Sequence, residues 1–456
     1  MNSDAFYSNS LLWCLLIWVL IGLIAALKSR GTTRRSAGLT VAFIINMALN
    51  HWFGALVCLL PWYTPSGNEN VVEGFELSTL GMIAFAIGCF ALAPLISPNL
   101  PDEEELTDAS CGNPRIMRTY GLVGAGCFLA MAVGASRLPS VAAVFSTGFN
   151  LILVALCLAM WCASRQGDRR RVHGWLASAF LLPFFTMMTQ GFLGYGVGYL
   201  IVVLSFYLLL SRHRLALLLL MLPLAYVGLS FYVSYMRDRD EIRGVVWGGE
   251  GYGSRVDRIW QTCRTVEWFD PLDTRHLERV DRRLNQNRLI GAAVLHLQNT
   301  HSFANGDTLW MALLALIPRA VWADKPAYGG SMDLVSKYTG LRFAQGTSVG
   351  MGVIFEPYIN FGRFGVIVAL LTIGVVVGVI DHKSALALYT GQALAFGRWF
   401  LLGIIMMNVL GSFAEITASL AGALIVVFAV NHYLRTHLDM EPAEPIAQDA
   451  VDSLHP

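Results

Sequence analysis

Charged side chains are scarce in this chain of 456 residues: Asp, Glu, Lys and Arg make up 14% of it, against 55% hydrophobic residues. Soluble domains carry about 25% charged residues. So few charges do not cover a water-facing globule, and we therefore expect lipid to form part of the surroundings. The net charge is only +1 and no long basic run occurs, which argues against nucleic acid as a partner.

Patterns for disulfides, metals and cleavable leaders are also missing. No CxxC pair and no Cys/His cluster occurs, so the sequence predicts no metal site and requires no cofactor. Cys263 has no partner in its own loop, and six other cysteines lie in apolar runs, where Cys behaves as a small hydrophobe. The first ten residues lack a basic region, so we expect the first apolar run to be retained as a membrane helix.

What the chain has instead is apolar runs long enough to span a bilayer, which takes roughly 20 residues. The sequence therefore predicts an all-α, polytopic integral membrane protein with about 11 transmembrane helices and one long outer loop. The predicted spans are 10–27, 38–62, 77–97, 117–135, 141–163, 174–191, 195–211, 215–235, 362–380, 395–411 and 413–431.

Lys and Arg in the short connectors predict the orientation, because cytoplasmic loops carry an excess of both. The basic connectors at 28–35, 164–171 and 211–214 are placed inside, which puts the N-terminus outside and the C-terminus in the cytoplasm. We predict an N-terminal membrane helix bundle (1–236), a large outer loop (237–350), C-terminal membrane helices (351–435) and a disordered cytoplasmic tail (436–456).

The outer loop contains two apolar segments. In 287–299 the residues Ile290, Val294 and Leu297 fall on one face, which predicts an amphipathic helix on the membrane or against the bundle. Segment 308–318 is too short to span and ends at Pro318, which favours a re-entrant or interfacial helix.

A first polar cluster lies where the eighth span emerges, in YMRDRDEIRG (235–244). If the helix continues outward, Arg239 and Arg243 share a face, with Arg237 beside them. Guanidinium groups match phosphate oxygens in geometry and charge. The alternative is a solvated helix end, in which these arginines pair with the acidic residues between them.

A second cluster is IPRAVWADKP (317–326), which holds Arg319 and Lys325 six residues apart, with Trp322 between them. Trp suits the headgroup level of a membrane. Either the two cations bind an anionic group, or they anchor the segment by extending to the interface.

A third cluster is EPYINFGRFG (356–365), near the outer end of the ninth span. Glu356 is a general-base candidate if its surroundings favour the protonated form, and its alternative is a structural ion pair with Arg363. His301 is a second base candidate, with a capped loop as the alternative. Tyr358, Arg363 and Trp322 are further loop-site candidates.

The pattern P-R-x-x-W-x-x-K-P (318–326), Gly346-Thr347 and E-x-Y-x-x-F-G-x-x-G (356–365) resembles the Wzy-type oligosaccharide repeat-unit polymerases. This family comprises O-antigen and exopolysaccharide polymerases of bacterial inner membranes. Many members carry an Arg-Gly pair at the outer end of a mid-chain span. Here Gln190 and Gly191 occupy that stretch, so either another Arg takes its place or the correspondence lies elsewhere.

The resemblance implies a GT-C-like fold whose long loop, with its amphipathic and re-entrant helices, is periplasmic. It implies a glycosyltransferase that joins a glycan on undecaprenyl diphosphate to a second lipid-linked repeat unit. A repeat-unit flippase and a chain-length-regulating co-polymerase would be its partners. The residues that match these roles are Arg237, Arg239, Arg243, Arg319 and Lys325 for the diphosphate, and Glu356 or His301 for the base.

Two rival interpretations stay open at this point. An O-antigen ligase, which transfers glycan to lipid A core, uses the same donor chemistry. A lipid-linked oligosaccharide flippase or transporter would place charges near the middle of the bundle and often shows repeats. The predicted spans are nearly free of charge and show no internal repeat.

Overall fold

The computed structural model describes residues 3–28, 36–63, 67–97, 113–133, 139–211, 214–317, 322, 324, 330–344 and 347–437. Over these residues every regular element is helical and none is a strand, as the sequence predicts. The first ten helices are α1 (Ser3–Lys28), α2 (Leu39–Val57), α3 (Asn68–Ile87), α4 (Ala93–Ile96), α5 (Pro114–Val133), α6 (Pro139–Gly148), α7 (Leu151–Arg165), α8 (Arg169–Ala179), α9 (Leu182–Gln190) and α10 (Leu193–Leu210). The others are α11 (Arg214–Trp247), α12 (Tyr252–Arg264), α13 (Thr274–Arg283), α14 (Asn287–Thr300), α15 (Asp307–Ala315), α16 (Ser331–Thr339), α17 (Phe355–Tyr389), α18 (Ala393–Met406) and α19 (Phe413–His437).

Nine helical stretches of the described chain are long and apolar enough to cross a membrane, which supports a multi-pass membrane protein. They are Asn9–Lys28, Leu39–Val57, Asn68–Ile96, Val144–Arg165, Arg169–Gln190, Leu193–Leu210, Leu219–Trp247, Phe355–Tyr389 and Phe413–His437. The two other predicted spans fall on α5 and on α18, which is 14 residues long. Large apolar side chains of α1 and α11 point outward, as in helices that face lipid.

Helix α3 begins at Asn68 and so extends nine residues into the predicted connector 64–76. The reason is tertiary packing against α14. A Cβ on Gly74 would overlap the backbone of Asn287, and one on Gly291 would overlap the carbonyl of Asn70. This close approach buries α14 against the bundle, which is one of the two placements that its sequence pattern allows.

Two predicted spans are interrupted. The span 141–163 divides into α6 and α7, and the span 174–191 divides into α8 and α9. Between α9 and α10 the chain turns at Gly191, whose φ of 74° lies in the left-handed region that favours glycine. The boundary between the predicted spans 174–191 and 195–211 therefore lies at this turn.

Helix α17 contains a kink near its N-terminal end. Phe361 (φ −138°) and Gly362 (φ 61°, ψ −149°) depart from helical geometry, so that 355–360 forms a short helix set against the longer remainder. Far along the same helix, Asp381 accepts hydrogen bonds from the backbone N–H groups of Ala37 (2.7 Å) and Leu39 (3.0 Å). It therefore caps the start of α2 and fixes these two helices to each other.

Candidate functional site

The first polar cluster lies on a continuous helix, because α11 runs through the predicted boundary at 236/237 and ends at Trp247. Residues four apart share a helix face, so Tyr235, Arg239 and Arg243 form one row. The Tyr235 hydroxyl donates to the carbonyl of Gly191 (2.9 Å). This row therefore faces the turn between α9 and α10.

Arg237 points elsewhere and is held by two carboxylates. Its Nε lies 2.8 Å from Oδ1 of Asp238, and its Nη1 lies 2.7 Å from Oε1 of Glu267. It also donates to the carbonyl of Thr265 (3.0 Å). Arg237 thus ties α11 to the segment after α12, as in the ion-pair alternative considered for this cluster.

The same network continues into α13. Arg279 Nη1 lies 2.9 Å from Oε2 of Glu267, while Arg258 pairs with Glu241 (2.9 Å) and Asp238 (3.4 Å). Partial burial opposes the charge of Glu267, but the hydrogen bonds from Arg237 and Arg279 outweigh it and hold its pKa below the ordinary 4.5. These ion pairs keep α11, α12 and α13 in a fixed arrangement.

Arg243 is a buried cation without a carboxylate partner among the described residues. Only 8% of it is exposed, and its Nε has no hydrogen-bond partner. Its guanidinium lies 4.3 Å from the centre of the Phe192 ring and 5.0 Å from that of Trp247. Aromatic faces stabilise a cation only partly, so the buried charge retains capacity for an anionic ligand.

Arg239 and Arg283 lie near each other with little neutralising charge. The carboxylate that pairs with Arg239 is that of Asp240, at 3.6 Å, and the Asp240 side chain is 97% exposed. Burial and the positive charge of Arg239 lower the pKa of Arg283, and no described carboxylate forms an ion pair with Arg283. Tyr232 and Tyr235 adjoin the two arginines. Two neighbouring, partly buried guanidinium groups form a site whose natural complement is an anion.

Sequence reasoning missed Arg283, although the sequence of α13 holds a signal. Val280 and Leu284 are buried, and Arg283 lies about 60° from Val280 on a helical projection, at the edge of that face. Arg282 lies on the opposite side, with 76% of its side chain exposed. The projection identifies Arg283 as the more buried of the pair, but its proximity to Arg239 depends on how α11 and α13 pack.

Glu356 is almost fully buried, with 1% exposed. Its Oε2 accepts a hydrogen bond from the backbone N–H of Phe413 (2.6 Å), the first residue of α19. A carboxylate at a helix N-terminus is stabilised by the unpaired N–H groups there. Arg363 pairs with Glu73 (3.7 Å) and is 66% exposed at its side chain, so the pair Glu356–Arg363 considered from sequence does not form.

The loop before α15 is docked onto the kink of α17. The backbone N–H of Ala304 donates to the carbonyl of Ile359 (2.8 Å), and that of Gly306 donates to Oδ1 of Asn360 (2.9 Å). Asn360 Nδ2 also donates to the Thr308 hydroxyl (2.7 Å). The loop that begins at His301 is therefore held against the short helix that carries Glu356.

The remaining loop candidates differ in exposure. His301 is exposed and directly follows α14, where its φ of 53° caps the end of the helix. This is the arrangement of the capped-loop alternative for this residue. Tyr358 is buried and packs edge-on against Phe303, with ring centres 6.4 Å apart. Trp322 is 38% exposed. Arg319 and Lys325 lie outside the described residues, and their assignment remains a prediction.

The start of α10 lies between the arginine row of α11 and the start of α19, to which Glu356 is bonded. Glu415 and Ser412 bond reciprocally at the start of α19, with both N···O distances at 3.2 Å, which is a capping box. Tyr195 lies within electrostatic reach of Glu415 and packs against Phe192 (5.6 Å), whose ring contacts Arg243. A chain of neighbouring side chains thus leads from Arg243 of α11, through Phe192 and Tyr195, to Glu415 of α19.

Within the described residues, no group of three or more His, Cys, Asp or Glu side chains is placed to hold a metal ion. The apolar helices and the polar residues at their ends are those of a multi-pass α-helical membrane protein. The chain belongs to the family described as Domain of unknown function (DUF8712), whose model matches residues 114–434. No curated protein and no solved structure matches the chain.

Proposed function

We propose that this protein is a membrane glycosyltransferase that polymerises undecaprenyl-diphosphate-linked oligosaccharide repeat units into O-antigen or exopolysaccharide. The reaction would take place at the periplasmic face of the bacterial inner membrane. The observation that carries the proposal is a set of three arginines: Arg239 and Arg243 share a face of α11, and Arg283 of α13 lies within electrostatic reach of Arg239. None of the three has a buried carboxylate partner among the described residues.

The position of these arginines suits a lipid diphosphate. Such a ligand keeps its chain in the bilayer, so its anionic group lies at the end of the spanning helices. Arg243 packs against Gly191. At this stretch many Wzy-type polymerases carry an Arg-Gly pair, in which the Arg directly precedes the Gly in sequence. We propose that Arg243 takes the role of the Arg that those relatives carry where this chain has Gln190. Arg319 and Lys325 would add further cations from the segment that follows α15.

The chemistry requires stabilisation of a leaving group more than activation of a nucleophile. An acceptor hydroxyl attacks the anomeric carbon of the donor glycan, the bond to the diphosphate oxygen breaks, and undecaprenyl diphosphate departs with the electron pair. Fixed guanidinium groups stabilise the negative charge that develops on it. In this scheme Arg237 is a positioning residue, because its two carboxylate partners hold the end of α11 in place.

A base must take the proton of the acceptor hydroxyl, and Glu356 and His301 are the two candidates. The docked loop 301–308 brings them to one region of the molecule. His301 is open to solvent, whereas Glu356 is covered. Use of Glu356 would require the acceptor to reach a buried carboxylate, and use of His301 would not.

The test is reconstitution of the purified protein with a lipid-linked repeat unit and gel analysis of the product. We expect a ladder of polymer from the wild type and a loss of about 100-fold or more in the rate for Arg239→Ala and Arg283→Ala. Arg282→Ala is the matched control and should retain the ladder, because Arg282 faces away from the site.

Two outcomes would overturn the polymerase assignment. Transfer only after lipid A core is added would identify an O-antigen ligase, which uses the same donor and the same arginines. Movement of lipid-linked sugar across vesicle membranes without any transfer would identify a flippase or transporter. If the ladder forms, we expect a chain-length-regulating co-polymerase to change its length distribution and a repeat-unit flippase to supply its substrate.

A further inference from the structure

We infer that Lys383 of α17 and Arg398 of α18 bind the phosphate of an anionic lipid. The two side chains share one aromatic ring: Lys383 Nζ lies 4.4 Å from the centre of the Trp399 ring, and the Arg398 guanidinium lies 5.0 Å from it. Lys383 lies towards the C-terminal end of α17, whereas Glu356 lies in its first turn. The inference therefore concerns a second site and does not depend on the reaction proposed above.

The length of α17 places Lys383 at the edge of the apolar layer. After the kink at Gly362 the helix carries Arg363, and the next charged residue is Asp381. The rise of an α-helix puts Lys383 about 30 Å beyond Arg363, which is about the thickness of the hydrocarbon core of a bilayer. Lys383 therefore lies at the level of lipid headgroups.

Arg398 lies at the same level because α17 and α18 pack against each other as an antiparallel pair. The turn between them contains Gly391 (φ 72°), which is nearly midway in the chain between Lys383 and Arg398. Trp399 lies between the two cations and is only partly exposed. Trp, Lys and Arg are the residues that occupy the boundary between the bilayer and water.

Neither cation forms an ion pair with a carboxylate in the described part of the chain. Asp381, two residues before Lys383, instead accepts hydrogen bonds from the hydroxyls of Ser36 (2.7 Å) and Thr40 (2.8 Å) at the start of α2. Both cations are partly buried, and the Nε of Arg398 is buried without a hydrogen-bond partner. Partly buried, unpaired cations favour an anion as their ligand.

The surroundings of the pair are also basic. Helices α7 and α19 end at this end of the protein, and their last turns carry Arg165 and Arg435. Trp161 of α7 packs edge-on against Tyr389 of α17 (4.9 Å), and Asn431 of α19 donates to a carbonyl in the first turn of α18 (3.1 Å). Basic pockets between the ends of spanning helices bind anionic lipid headgroups.

The residues next to the pair favour a lipid over a free anion. Val379 and Val376 precede Lys383 by one and two turns on the same face of α17, and Leu402 follows Arg398 by one turn on α18. Val376 is 39% exposed, and Val379 and Leu402 are partly exposed. All three extend from the cations into the apolar layer. They offer a surface for the acyl chains of a lipid whose phosphate is held by Lys383 and Arg398.

The test is native mass spectrometry of the delipidated, full-length protein, titrated in detergent with phosphatidylglycerol or phosphatidylcholine. We expect the first phosphatidylglycerol to bind about tenfold or more tightly than the first phosphatidylcholine. Lys383→Gln and Arg398→Gln should each remove a charge-assisted contact and weaken the binding of phosphatidylglycerol by about tenfold. Arg435→Gln is the matched control, because it removes an exposed cation at the same end of the protein and should leave this binding unchanged.

Four results would overturn the inference. Equal affinity for the two lipids would show that the protein does not select an anionic headgroup. Unchanged binding in both Lys383→Gln and Arg398→Gln would place the lipid elsewhere. An equal loss in Arg435→Gln would show a general effect of net charge. Displacement of the lipid by an equal concentration of inorganic phosphate would show a site for a free anion. If Arg398→Gln lowers the unfolding temperature of the lipid-free protein, Lys383→Gln alone decides the second result.

Discussion

The carboxylate of Glu356 accepts a hydrogen bond of 2.6 Å from the backbone N–H of Phe413, 57 residues further along the chain. This bond joins the short helix before the kink of α17 to the first turn of α19. Glu356 therefore has a structural role, whether or not it also takes a proton in the proposed reaction. The two roles respond differently to substitution, and this allows them to be separated.

Glu356→Ala should lower the free energy of unfolding by about 1–3 kcal/mol, because it leaves the N–H of Phe413 buried without an acceptor. Glu356→Gln keeps an acceptor oxygen at the same place and should cost less. Thermal unfolding in detergent measures both. Equal unfolding temperatures for Glu356→Ala and Glu356→Gln would contradict the role of Glu356 as the acceptor for the N–H of Phe413.

Glu356→Gln, compared with His301→Ala, also tests which residue is the base. If Glu356 takes the proton, Glu356→Gln should reduce the rate of polymer formation by about 100-fold or more while the protein stays folded. If His301 takes it, Glu356→Gln should retain the rate and His301→Ala should lose it. His301→Ala is suited to this comparison because its exposed side chain contributes little to packing.

Arg283→Ala should weaken binding of undecaprenyl diphosphate by about tenfold or more, since each charge-assisted contact contributes about 1.5–3 kcal/mol. The stability of the free protein should not fall, because the substitution also removes the repulsion between Arg283 and Arg239. Binding can be measured by the rise in unfolding temperature as the lipid is added. A loss of stability without a loss of binding would show that Arg283 is structural.

Arg282→Ala is the control for this experiment. It lies next to Arg283 in the chain, but its guanidinium pairs with Glu278 (3.3 Å) at an exposed surface. Exposed pairs of this kind contribute at most about 1 kcal/mol. An equal loss of binding in both variants would indicate a general effect of net charge and not a defined site.

The sequence predicts the membrane class and most spans, because runs of apolar residues are local and the bilayer fixes their length. It does not predict that α3 starts at Asn68. The segment 64–76 is polar and resembles a connector, and it becomes helical because Gly74 and Gly291 let α3 and α14 pack at backbone contact. That contact joins residues more than two hundred positions apart, which no local pattern reveals.

For the candidate site, too, the sequence predicts local features but not the contacts between distant segments. The spacing of Arg239 and Arg243 predicts their shared face, and α11 confirms that the helix continues through them. The sequence leaves open which arginines pair with acids. Arg237 is held by Glu267, whereas Arg239 lies near Arg283, and both facts depend on how the segments after α11 fold back onto it.

Gly291→Ala should destabilise the protein by about 3 kcal/mol or more, or prevent folding, because the new Cβ would overlap the carbonyl oxygen of Asn70. Gly126→Ala is the control, since a Cβ at Gly126 meets nothing within 4 Å. Alanine is the better helix former by about 1 kcal/mol, so the control should match or exceed the wild type. Unfolding temperature and yield in detergent measure both, and a tolerated Gly291→Ala would contradict the close packing of α3 and α14.

The stability of the ion-pair network that joins α11, α12 and α13 should depend on pH through Glu267. Its pKa in the folded protein lies below the ordinary 4.5, because the hydrogen bonds from Arg237 and Arg279 outweigh the effect of partial burial. A carboxylate with a lowered pKa stabilises the folded state above its unfolded pKa, and this stabilisation is lost as the pH falls through the folded value.

We therefore expect the gap in unfolding temperature between wild type and Glu267→Gln to be constant near neutral pH. It should narrow once the pH drops below about 4. Asp257→Asn provides the control, since it removes an exposed carboxylate that has no ion pair among the described residues. A gap that widens on acidification would show that Glu267 is bound in its protonated form, and the ion-pair network described for Arg237 would then be wrong.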